Sequence, residues 1–112
     1  MTIYILGAGG YIGSHLLAAF LNENNEDKNI VAVDRNLEYL SGLSVKKVKM
    51  DLAQKVPDFK DGDIVYHLAT KKNYPSQFDR EGAFRDIFVS TKNVVEAVRN
   101  KDVFLIFGRR LP

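Results

Sequence analysis

Cysteine is absent from the 112 residues, which excludes a disulfide framework, a thiolate metal site and a cysteine nucleophile. No apolar run approaches the roughly 20 residues of a membrane helix. No basic stretch precedes the first apolar run, as a secretory leader would require. An excess of one charge is also missing: 16 Lys and Arg face 14 Asp and Glu, a net charge of +2. No basic stripe carries interleaved aromatics, so nucleic acid is not expected as a partner. Internal repeats and low-complexity tracts are lacking. What remains, 46% hydrophobic and 27% charged residues, suits one soluble domain spanning residues 1–112 with a single core. The expected setting is the cytoplasm, with no membrane partner and no metal.

Glycine, by contrast, is concentrated where it carries chemistry. The apolar run Ile3 to Leu6 is cut by a glycine cluster that leads into a helical pattern near Tyr11. Strand, glycine turn and helix N-terminus in that order bind anions. Glycine permits the tight turn, and the helix's unpaired N–H groups and dipole favour a phosphate. Gly7, Gly10 and Gly13 read G-x-x-G-x-x-G. A G-x-G-x-x-G motif would need glycine at Ile12, and a P-loop would need Gly-Lys-Ser/Thr. Asp34 closes the next apolar run 21 residues after Gly13, the distance at which an acid meets a ribose in dinucleotide sites.

Along the chain, strands and helices alternate. Strands are expected at 2–6, 30–33, 45–50, 64–68 and 103–107. The helix after the glycine turn carries Ile12, Leu16, Leu17, Phe20 and Leu21 on one apolar face. Residues 36–41 are a short helix or a loop, and 71–82 are polar and irregular. A second helix covers 83–99. Phe84, Ile87, Phe88, Val94, Val95 and Val98 spread over more of its circumference than one sheet-facing stripe needs. The lysines of the third strand suit a sheet edge. Such alternation implies a doubly wound α/β fold with a parallel sheet of about five strands in the order 3-2-1-4-5, and a ligand at the carboxyl ends.

With these residues in place, the sequence resembles the N-terminal part of an extended short-chain dehydrogenase/reductase of the NAD-dependent epimerase/dehydratase type. The resemblance rests on GAGGYIGSH at 7–15, VAVDRN at 31–36, MDL at 50–52, HLAT at 67–70 and STKNVVEAV at 90–98. It implies a Rossmann-like fold and a dinucleotide as cofactor. Gly7, Gly10 and Gly13 would shape the pyrophosphate site, and Tyr11 and Ile12 would supply backbone N–H groups. A side chain at Gly13 is expected to fill space that the pyrophosphate needs. Asp34 would accept from the adenosine ribose, which favours NAD over NADP, although Arg35 could accommodate a 2′-phosphate. Asp51 and Leu52 would line the adenine. Leu68, Ala69 and Thr70 would lead towards the nicotinamide. For both aspartates a plain turn or cap role is the alternative. His67 is structural in the family pattern, His15 has less claim to a role, and Lys71 and Lys72 suit a solvated pair.

Departures from the pattern bear on catalysis. None of the five tyrosines has lysine four residues on, so the family's Tyr-x-x-x-Lys proton-transfer pair is lacking. The Ser/Thr region after strand five reads Phe107-Gly108-Arg109-Arg110, and the asparagine and glycine of the helix motif fall on Ile87 and Ser90. The resemblance therefore implies a cofactor half without the C-terminal substrate part and without catalytic residues, either a natural short binding protein or a truncated enzyme. The alternative is an oxidoreductase or nucleotide-sugar epimerase completed by another chain. An uncovered fifth strand is expected to drive self-association through residues 84–107.

Overall fold

Ile3 and Ile5 face one side of the first strand, and Tyr4 and Leu6 the other, so that both faces are apolar and both need cover. A computed structural model describes residues 1–23, 29–68 and 80–108, with backbone alone at 80–86. It places β1 at Thr2–Leu6, α1 at Tyr11–Asn22, β2 at Asn29–Asp34, β3 at Lys46–Lys49, β4 at Ile64–His67, α2 at Arg80–Val98 and β5 at Phe104–Phe107. The five strands form one sheet in the order β3-β2-β1-β4-β5, and every pair is parallel. This is the Rossmann-like, doubly wound arrangement expected from the alternating pattern.

Each face has its own helix. Leu16, Leu17 and Phe20 of α1 pack with Ile3, Ile5, Ala32 and Leu40. On the opposite face Val94, Ala97 and Val98 of α2 pack with Leu6, Val31, Val33 and Val65. The apolar stripe of α1 is narrower than expected: Ile12 and Leu21 at its two ends are exposed. The region 36–41 resolves into a 3₁₀ turn, Glu38–Leu40, whose Leu40 is fully buried. α2 begins at Arg80 rather than 83. Gly82 thus sits inside a helix, where its cost of about 1 kcal/mol is outweighed by the packing of the rest.

The strand ends are aligned. Leu6 is opposite both Val33 and His67, Asp34 is opposite Lys49, and His67 is opposite Phe107. The residues that follow each strand therefore gather along one edge of the sheet. At the opposite edge Asp63 is a buried acid, yet its two oxygens accept from Thr2 N (2.9 Å) and Lys60 N (2.8 Å). It ties the strand beginnings together and has no free chemistry.

Between β3 and β4 the chain drops Phe59 into the α2-side core, fully buried and edge-to-face with Tyr4 at 5.0 Å. The Lys101 ammonium holds its carbonyl at 2.7 Å. Phe59→Ala should therefore cost about 3–5 kcal/mol, a large part of the roughly 5–15 kcal/mol that holds a typical domain together. Urea denaturation followed by circular dichroism would measure it. A change below about 1 kcal/mol would mean that this segment contributes little to the core.

Candidate functional site

Backbone hydrogen bonds shape the turn after β1. Gly7, at φ +84°, takes a conformation that favours glycine. Gly7 N and Ala8 N both donate to Val33 O, at 2.8 and 3.1 Å, and Gly10 N closes back on Gly7 O at 3.1 Å. α1 then starts at Tyr11 with Gly10 as its N-cap, extended and without a side-chain capping bond. No acid lies in the helix's first turn, so its partial positive charge is not answered from within that turn. Gly13 explains how the helix comes so close: a Cβ there would collide with the Gly7 carbonyl. This corrects the expected reason for that glycine. Its missing side chain makes room for the turn's own backbone, and any space for a ligand follows from that packing.

Asp34 ends β2 beside this turn. Its Oδ2 accepts from Gly9 N at 2.8 Å and its Oδ1 from Asn36 N at 3.1 Å. The carboxylate thus clasps the glycine turn from the neighbouring strand. A carboxylate has about four acceptor positions, so two backbone bonds leave capacity for hydroxyl donors. Gly9 was not singled out in the sequence, although it adjoins Gly10 in the cluster; a Cβ there would lie 3.0 Å from Asp34 Oδ2. Arg35 is exposed next to it.

Asp51 lies beyond β3, where Met50 N bonds Asp34 O at 3.0 Å. Its Oδ1 accepts from Ala53 N at 3.0 Å, and its carbonyl accepts from Gln54 N and Lys55 N at 2.9 and 3.0 Å. It therefore builds a turn, as the alternative reading of this residue held. Leu52 is 4% exposed and belongs to the α2-side core, so only its backbone is available to a ligand. Leu68 continues the parallel ladder through Leu68 N to Leu6 O at 2.8 Å. Gly108, after β5, fits against it; a Cβ there would strike the Leu68 side chain. Ala69, Thr70, Lys71 and Lys72 lie outside the described residues. Tyr11 and Ile12 head α1 with exposed side chains, and His15 Nδ1 donates to Tyr11 O at 2.8 Å. Among the described residues no cluster of His, Cys, Asp or Glu could hold a metal ion, and no helix is long and apolar enough to cross a membrane.

His67 sits at the carboxyl end of β4, 4% exposed, with Nε2 3.1 Å from Thr91 Oγ1 and its ring against Phe107. Its Nδ1 has no hydrogen-bond partner among the described residues. Burial pushes its pKa below the ordinary 6.5, because the charged ring cannot be solvated there.

Glycine turn, helix N-terminus and two strand-end carboxylates gathered on one edge of a parallel sheet are features of a Rossmann-like, doubly wound fold. The model of the NAD dependent epimerase/dehydratase family matches residues 3–108, and the chain belongs to that family. Similar folds are found in UDP-glucuronic acid 4-epimerase from Bacillus cereus in complex with NAD (TM-score 0.69, 23% identity) and in a short-chain dehydrogenase/reductase superfamily protein from Agrobacterium tumefaciens with bound NAD (TM-score 0.75, 22% identity). The matches cover 96% of this chain but only 39% and 32% of those two. No curated protein matches.

Stability should respond to His67 in a defined direction. A histidine whose pKa is lowered by folding takes up its proton more readily when unfolded. Its stabilising contribution is complete above 6.5 and is lost as the pH falls below 6.5 and on through the lower folded value. Thermal midpoints between pH 8 and pH 5 should fall less in His67→Gln than in the parent chain. Parallel profiles would show that His67 does not titrate in this way.

Proposed function

We propose that residues 1–112 bind an adenine dinucleotide, with NAD preferred over NADP. The observation that carries this reading is the glycine turn opening onto the uncapped start of α1, with the Asp34 carboxylate fastened to it through Gly9. Gly7, Gly10 and Gly13, with the Tyr11 and Ile12 amides, would hold the pyrophosphate. Asp34 would take the ribose hydroxyls, and a 2′-phosphate there would meet a carboxylate. Asp51 would accept from the adenine amino group, beside the backbone of Leu52. Leu68, Ala69 and Thr70 would border the nicotinamide end. A bound nicotinamide supplies hydride chemistry; this chain's residues bind and orient it.

The residues fit that cofactor but not a complete reaction. Proton transfer to a carbonyl needs a phenol or similar acid of tuned pKa near the nicotinamide, and no tyrosine here has the lysine partner. We therefore assign the chain binding without independent turnover. Family membership supports a second reading, an oxidoreductase or nucleotide-sugar epimerase/dehydratase whose remaining groups come from another chain or further sequence. Calorimetry should give saturable binding of NAD, weaker binding of NADP, and loss of both in Gly13→Val, which breaks the turn itself. Absence of binding by either dinucleotide at millimolar concentration would overturn the proposal, and tighter NADP binding would move the decisive role from Asp34 to Arg35. Turnover of a nucleotide sugar by the pure chain at about 1–1000 per second would favour the second reading.

The surface also favours self-association. Phe88 and Val95, seven residues apart on α2, are 61% and 41% exposed, while Phe104 and Phe107 of β5 are 67% and 54% exposed. β5 is the sheet's edge among the described residues, so its aromatics adjoin unpaired backbone. We expect a dimer or larger assembly through residues 84–107, shifted towards monomer by Phe88→Asp or Phe104→Asp. Light scattering should show this at high micromolar concentration, and a parent chain that stays monomeric there would refute it.

A further inference from the structure

Asn93 lies on α2, immediately before the fully buried Val94, and reaches across to the turn that carries Asp51. Its Nδ2 donates to Leu52 O at 2.9 Å and to Ala53 O at 3.2 Å. The first of these carbonyls has a particular place in the turn. The peptide unit formed by the Leu52 carbonyl and the Ala53 N–H accepts from Asn93 on one side. On the other side the same unit donates to Asp51 Oδ1 at 3.0 Å. A peptide unit is planar and rigid, so fixing its carbonyl fixes the direction of its N–H. The carboxylate that receives that N–H is oriented in turn, and hydrogen bonds in series polarise one another.

The turn has a second anchor, the Leu52 side chain, buried at 4% exposure. A side chain in the core sets the depth of the turn, and the Asp51 carbonyl, accepting from Gln54 N and Lys55 N, holds the peptide before Leu52, but neither engages the Leu52 carbonyl. Packing does not supply the missing restraint. Gln54 to Val56 in the outer part of the turn and Asn93, Glu96 and Ala97 of α2 line an open cleft of about 390 Å³. At the inner end of that cleft the side-chain amide of Asn93 bonds the Leu52 and Ala53 carbonyls.

We infer that Asn93 is a positioning residue that aims the Asp51 carboxylate through the Leu52–Ala53 peptide plane, and so sets the preference for an adenine bearing a 6-amino group. The inference rests on the dinucleotide reading above. Asn93 itself touches no part of the cofactor. Its role is to keep one carboxylate oxygen engaged by the turn and the other turned to the ligand. Loss of the amide frees the plane to rotate, and the carboxylate then no longer discriminates the base.

The test compares NAD with nicotinamide hypoxanthine dinucleotide, which carries an oxygen in place of the 6-amino group. The parent chain should prefer NAD by about tenfold, the worth of one hydrogen bond to a charged group. In Asn93→Leu the two affinities should converge, with the ratio falling towards one. A purely structural role would weaken both ligands equally and keep the ratio, which would overturn the inference. Asn93→Ser, too short to reach both carbonyls, should give the same convergence, and it serves if the leucine variant does not fold. A parent chain that binds both dinucleotides equally would also overturn it, while leaving dinucleotide binding intact. A parent chain that binds neither would fail the dinucleotide reading itself, and this inference with it.

Discussion

The contact between the backbone of α1 and the backbone of the turn before it governs the rest of the molecule. Gly13 lies against the Gly7 carbonyl with no room for a Cβ, and this is what lets the helix start directly above the end of β1. The start of the helix then faces the carboxyl edge of the sheet, where the ends of the five strands are aligned. A bulkier residue at Gly13 would push the helix outward. The turn would then lose its register with Val33 O, on which Gly7 N and Ala8 N both depend. Stability and the proposed binding would therefore share one contact.

The acids at the strand ends show a related economy. Asp34 fastens the glycine turn through Gly9, and Asp51 fastens the turn after β3 through Ala53. Neither carboxylate waits unbonded for a ligand. Asp34 accepts backbone donors on both oxygens and Asp51 on one, which restricts their rotamers and would lower the entropy that binding a ligand costs. The choice between a turn acid and a ligand acid thus dissolves: the backbone bonds orient the groups that would receive the ligand. Asp63, at the opposite edge, marks the contrast: it too accepts on both oxygens, but it is 4% exposed and closed to solvent, whereas Asp34 and Asp51 are only partly buried.

Much of this was legible in the residues. The alternation of apolar runs with helical patterns led to the parallel order 3-2-1-4-5 that the sheet has, because chirality and crossover rules leave few alternatives. The glycine spacing located the turn. Phe59 was not legible, since a single aromatic between Asp58 and Lys60 has no period to show that it is buried. Asn93 and Gly9 were missed for another reason: their parts are played against Leu52 and Asp34, residues 41 and 25 positions away. Local pattern carries no information about such pairs. The purpose of Gly13 was misread for the same reason, as its neighbour is the turn's carbonyl and spacing alone could not show that.

The central claim is that one edge of the sheet, at the carboxyl ends of β1, β2 and β3, receives the dinucleotide. Amide chemical-shift mapping of the full chain during a titration with NAD tests it most directly. The account predicts the largest shifts at Gly9, Gly10, Tyr11, Ile12 and Gly13, with further shifts at Arg35 and at Leu52 and Ala53. The amides of Thr2 and Lys60, at the amino-end edge where Asp63 holds them, should stay unmoved. Shifts concentrated at that opposite edge, or a saturable response that bypasses the glycine turn, would contradict it.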